Sequence, residues 1–159
     1  MSFPTSVVPN GVTHSLKRQV RTRGGQRWSM DVTFPPLTRT DFAPVWAFVQ
    51  KQKGQFGSFS FTPPIYSNTS GTATGTLLVN NSAGYIAGTT TITVDGLTGT
   101  LKAGDFIKFS GHDKVYTIVA DATTSLTIEP VLQSAIVNNE TVTYNAVPFT
   151  VAFTTDTQN

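Results

Sequence analysis

The sequence contains two histidines, His14 and His112, about a hundred residues apart. Neither belongs to a His-x-x-x-His pair, and His14 has no acidic residue at ligand spacing beside it, so the usual metal signature is missing. His112 stands in "SGHDKVY" next to Asp113, the one place where an acid–base or metal dyad suggests itself. Adjacent residues on a strand point to opposite faces and Gly111 marks a turn, so His112 is expected to be an exposed turn residue. Asp105, Asp113, Asp121 and Glu129 recur every eight residues, as one acidic residue per hairpin would. A glycosidase pair instead needs two carboxylates converging within ~5 to 10 Å. "GLTGTLKAG" has the glycines of a phosphate loop without the following helix or lysine-threonine element, and no nucleophile elbow occurs. With no cysteine, zinc-thiolate sites, disulfides and thiol nucleophiles are excluded. The reading is a protein that is not an enzyme, with no catalytic residue, metal or cofactor.

Charge is sparse and polarised. Residues 1 to 60 carry eight basic residues against Asp31 and Asp41, whereas residues 61 to 159 carry three lysines against seven acidic residues. Such a chain suits stacking on copies of itself or on oppositely charged neighbours. Five cations fall between Lys17 and Arg27, around a flexible Arg-Gly-Gly turn that suits phosphate contact. No aromatic is interleaved with them as a single-strand stacking platform requires, so transient contact with passing DNA is favoured over specific recognition. No apolar run approaches the ~20 residues of a membrane span, and "MSFPTSVVPNG" lacks a secretory pattern. The expectation is a soluble protein made in the cytoplasm, with no membrane partner.

The elements that would position these residues are mostly strands. "RWSMDVTF", Arg27 to Phe34, alternates with Trp28, Met30, Val32 and Phe34 on one face, and Pro35 and Pro36 close it. A helix follows over about 40–53, opened by Thr38 or Thr40 and Asp41, with Pro44 placed in its first turn and Gly54 as its stop. "FGSFSF" then reads as a strand. Trp28, Phe42, Trp46, Phe48, Phe59 and Phe61 are the expected core beneath the helix. "SNTSGTATGT" reads as a linker, and "TTTITVDG", "FIKFSG", "KVYTIVA", "SLTIEPV" and "ETVTYN" as five short strands of a small barrel or sandwich. "PFTVAFTT" is expected to return to the first sheet. The domains inferred are residues 1–66 together with 146–159, and an inserted all-β module over 72–145.

The run "GGQRWSMDVTFPPLTRTDFAPVWAFVQKQKGQFGSFSFTPP", then "GTATGTLLVN" and "GLTGTLKAGDFIKFSGHDKVYTIVADATTSLTIEPVL", resembles a family of tail proteins of long-tailed bacteriophages, most closely the distal tail proteins. The resemblance spans about Gly24 to Phe153. It implies a mainly β protein: a tail-tube-type β-sandwich with one packed α-helix, plus an inserted small barrel-like module. It further implies a structural subunit of the virion tail, assembled as a hexameric ring between the tail tube and the tip or baseplate hub, with DNA passing through the channel. Arg21, Arg23, Arg27, Lys51 and Lys53 are then the candidates for subunit or channel contacts. The alternatives are another minor ring, such as a tube or terminator protein, and a binding module that recognises a host-surface glycan or tail fibre through residues 72–145.

Overall fold

In a computed structural model of the chain, residues 7–12, 18–22 and 26–155 are described. Contacts divide the chain into two units, Met1–Thr38 and Arg39–Asn159. The first holds an antiparallel hairpin of β1 (Val7–Val12) and β2 (Arg18–Thr22), in which Val8 faces Arg21 and Pro9 faces Val20, with an irregularity between Pro9 and Val12. The strand expected from Arg27 to Phe34 is absent. Only Ser29 makes a bridge, and Val32 and Phe34 are exposed. Alternation supplies a strand's pattern, but a strand persists only where a neighbouring edge satisfies its N–H and C=O groups.

The second unit opens with α1 (Arg39–Gln52), which has Asp41 in its first turn and Lys51 in its last, matching the helix dipole. Pro44 lies inside the helix beyond its first turn, because the helix begins at Arg39. It therefore costs a helix hydrogen bond that a first-turn proline would not. Lys53 adopts a left-handed conformation (φ 53°) and leads into a 3-10 turn, Gly54–Phe56. β3 (Ser58–Phe61) follows and pairs antiparallel with β10 (Phe149–Ala152), Phe61 opposite Phe149 and Phe59 opposite Val151.

Between β3 and β10 lies a closed barrel. Its strands are β4 (Leu77–Val79), β5 (Thr91–Asp95), β6 (Phe106–Phe109), β7 (Val115–Ile118), β8 (Ser125–Glu129) and β9 (Thr141–Thr143), in the order β4-β5-β8-β7-β6-β9, with β9 returning to β4. All pairs are antiparallel, and β5 lies beside β8 with β6 and β7 between them in sequence, which is a Greek key. Closure leaves no open edge. Ile92 and Val94 on β5, Leu126 and Ile128 on β8 and Ile107 and Phe109 on β6 point inward with the two-residue period of a strand. Leu101, Leu132 and Ile136 from the loops complete the core. The described residues are thus mainly β, with one α-helix and a six-stranded barrel. β4 has only three residues. The segment read as a linker is built into the barrel: Thr72 and Thr74 donate their amides to the Thr100 and Thr98 carbonyls, and Ala73 is buried in the core.

The core therefore sits in the barrel rather than beneath the helix. Phe42, Trp46 and Phe48 remain 48, 46 and 41% exposed, while Trp28, Phe59 and Phe61 are half-buried. Phe48 meets Phe59 edge-on at 5.0 Å and Phe59 meets Phe153 at 5.4 Å, whereas Phe42 and Trp46 stack on each other at 6.1 Å. A two-stranded sheet offers too little area to cover an aromatic helix face. No helix among the described residues is long and apolar enough to cross a membrane.

Candidate functional site

The five candidate contact cations fall in different places. Arg21 lies on β2, and Arg23 lies outside the described residues. Arg27 is exposed ahead of the helix. Lys51 and Lys53 are exposed at the helix C-terminus, where they complement the negative end of the dipole.

The residues that suggested chemistry are committed to structure. His112 is half-buried, correcting the expected exposed turn residue. Its Nε2 lies 2.8 Å from the hydroxyl of Tyr116, whose oxygen also accepts the Gln133 amide at 2.9 Å. The hydroxyl thus joins the imidazole to the Gln133 backbone, its one hydrogen and two lone pairs serving either tautomer of His112. Nδ1 is buried without a hydrogen-bond partner. Burial holds the imidazole pKa below its usual value, a lowering that Lys108 reinforces and Glu140 and Asp113 oppose. Burial also raises the Tyr116 phenol.

Asp105, Asp113, Asp121 and Glu140 are engaged as well. Asp113 pairs with Lys108 at 2.9 Å, and Asp121 with Lys102 at 2.5 Å while accepting the Ala103 amide at 3.0 Å. Glu140, buried, accepts the Gly111 amide at 2.6 Å and the Val137 amide at 3.1 Å, tying the β6–β7 turn to the loop before β9. Asp105 is 4% exposed and accepts from Thr69, Ser70 and Lys102. Burial alone would raise its pKa, but the hydrogen bonds from Ser70, Thr69 and Lys102 outweigh it and hold the carboxyl below its usual range. Sequence reasoning takes Asp105 for an ordinary hairpin carboxylate and misses its role, because its partners Thr69 and Ser70 lie some 35 residues away. No three His, Asp or Glu side chains converge on a metal position among the described residues.

The tyrosines that a saccharide platform would need are also engaged. Tyr85 accepts the Thr93 amide, and Tyr144, almost fully buried, donates to the Gly75 carbonyl at 2.8 Å. The polar side chains described above hold the loops of the barrel together. Residues 65–147, just over half of the chain and the whole of this barrel, match the family model described as "Distal tail protein pb9, B domain". The chain belongs to this distal tail protein family. It is a structural component of the distal part of a bacteriophage tail, and the matched B domain is the Greek-key barrel with its two connecting segments. No curated protein matches the chain.

Proposed function

We propose that this chain is a non-enzymatic ring subunit at the distal end of the tail tube, joining the tube to the tip or baseplate hub, with six copies surrounding the channel through which DNA passes. The observation that carries the reading is the match of residues 65–147 to the distal tail protein B domain. Two features of the chain agree with it. The half formed by α1, β3 and β10 leaves Phe42, Trp46 and Phe48 exposed, which is costly for a lone subunit and ordinary for one that buries the face in an assembly. The basic first 60 residues and the acidic remainder provide the two unlike surfaces that a head-to-tail ring requires. Arg21, Arg23, Arg27, Lys51 and Lys53 are assigned to the subunit or channel face, and synthesis to the host cytoplasm. Light scattering over a concentration series at low and high salt tests this. A closed six-fold mass that weakens with salt is expected, and a monomer at every concentration and salt would remove the ring.

A further inference from the structure

Two segments connect the barrel to the β3–β10 pair, and they are bound to each other. The Val147 amide donates to the Ser67 carbonyl at 3.0 Å, the Ala146 amide to Asn68 Oδ1 at 2.9 Å, and the Thr69 amide to Asn145 Oδ1 at 3.1 Å. Each asparagine thus caps the other segment's backbone. Ala146 is held in the left-handed region, φ 50°, which a residue with a Cβ adopts only where its surroundings enforce it. Immediately beyond, the segment meets Asp105. Oδ1 accepts the Ser70 amide and the Ser70 hydroxyl, each at 2.8 Å, and Oδ2 accepts the Thr69 hydroxyl and the Lys102 amide, the latter at 2.8 Å.

The barrel wall is also seated directly on β10. Ile107 and Phe109 face the core, so Phe106 points outward, yet it is buried, edge-on against Phe149 at 5.4 Å. The Thr150 hydroxyl also donates to the Asp113 carboxylate. A flexible tether would leave its backbone amides to solvent; here the amides of Thr69, Ser70, Ala146 and Val147 are each bonded and Ser67 and Val147 are buried, although Asn68, Asn145 and Ala146 stay exposed.

We infer that the two segments form a rigid neck, locked by Asp105, that holds the barrel at one orientation on the β3–β10 pair and transmits to that pair any contact the barrel receives. Asp105 is a positioning residue here: its carboxylate joins the incoming segment to the Lys102–Asp105 turn that leads into β6. Four acceptances by one buried carboxylate are strong because the acceptor is charged and water is excluded.

The test uses the full chain. Because it has no native cysteine, spin labels placed by Ser60→Cys on β3 and Thr123→Cys on the barrel are the only ones present. The labelled protein is diluted with unlabelled copies, and the distribution of distances between the two spins is recorded. A single narrow distance is expected, broadening in Asp105→Asn and in the double variant Asn68→Ala/Asn145→Ala. Amide exchange at Ser70 and Lys102 should rise about tenfold or more in Asp105→Asn, while residues 125–129 in β8 keep their protection. If Asp105→Asn also loses protection in β8, the asparagine pair, which alters no barrel strand, decides the matter. A broad distribution in the unmodified neck, or a narrow one in every folded variant, would overturn the inference.

Discussion

Replacing Tyr116 by Phe removes one oxygen from a site whose ring packing stays intact. Tyr116 is 0% exposed, and its ring meets Phe109 at 5.6 Å and His112 at 5.6 Å, contacts that phenylalanine retains. Two hydrogen bonds are lost. The amide of Gln133, an exposed residue, recovers water and costs about 1 kcal/mol. Nε2 of His112 loses its hydrogen-bond partner inside the fold, at about 1 to 3 kcal/mol, and Nδ1 already lacks one. The expected destabilisation is about 2 to 4 kcal/mol. Trp28 and Trp46 both lie outside the barrel, so tryptophan fluorescence would miss the effect. Urea unfolding followed by far-UV circular dichroism, with amide exchange in β7 and β8 as the local probe, is the suitable assay. A loss below about 0.5 kcal/mol, within the range of ordinary surface changes, would refute the claim that the phenol ties the β6–β7 hairpin to the loop at Gln133.

Three further outcomes follow from the structure. The folded pKa of His112 is lowered, so its contribution to stability is fully present above the ordinary value of 6.5 and is lost as pH falls through the lower folded value. Chemical denaturation at stepped pH should show a decline below 6.5 that is reduced in His112→Gln; an identical decline in both proteins would contradict this. In Gly71→Ala the new Cβ would press on the Thr100 carbonyl oxygen, a backbone atom that cannot swing aside, and thermal unfolding should reveal a loss of about 1 to 3 kcal/mol. A neutral result would show that segment 69–74 does not lie against Thr100. Trp46→Ala should cost only about 1 to 2 kcal/mol in the dissociated chain, because the side chain is nearly half exposed. Light scattering should show it weakening assembly; a full core-sized loss without any effect on assembly would place Trp46 inside the subunit.

The barrel was largely legible in the sequence, because "TITVD" and "SLTIE" alternate strictly and each lies against a complete core. β4 was not, since three residues between two turns carry no period. "RWSMDVTF" shows the opposite failure, a full alternating pattern with no edge to pair against along most of its length. The helix was readable from its spacing and end charges, but spacing identifies an apolar face without naming what covers it. At His112 the turn glycine Gly111 suggested exposure, whereas its half-burial comes from packing against Phe109 and Tyr116, which no local pattern shows. The role of Asp105 was invisible for the same reason: a carboxylate that closes a neck is recognised only once residues 69 and 105 are side by side.

The central claim, a subunit confined to the distal end of the tail, is tested most directly by imaging. Tails bearing a gold label on the exposed barrel surface at Thr123 would be viewed by electron microscopy. The account predicts label only at the end away from the head, at one fixed distance from the tail axis. Label distributed along the tube, or placed at the head-proximal end, would contradict it.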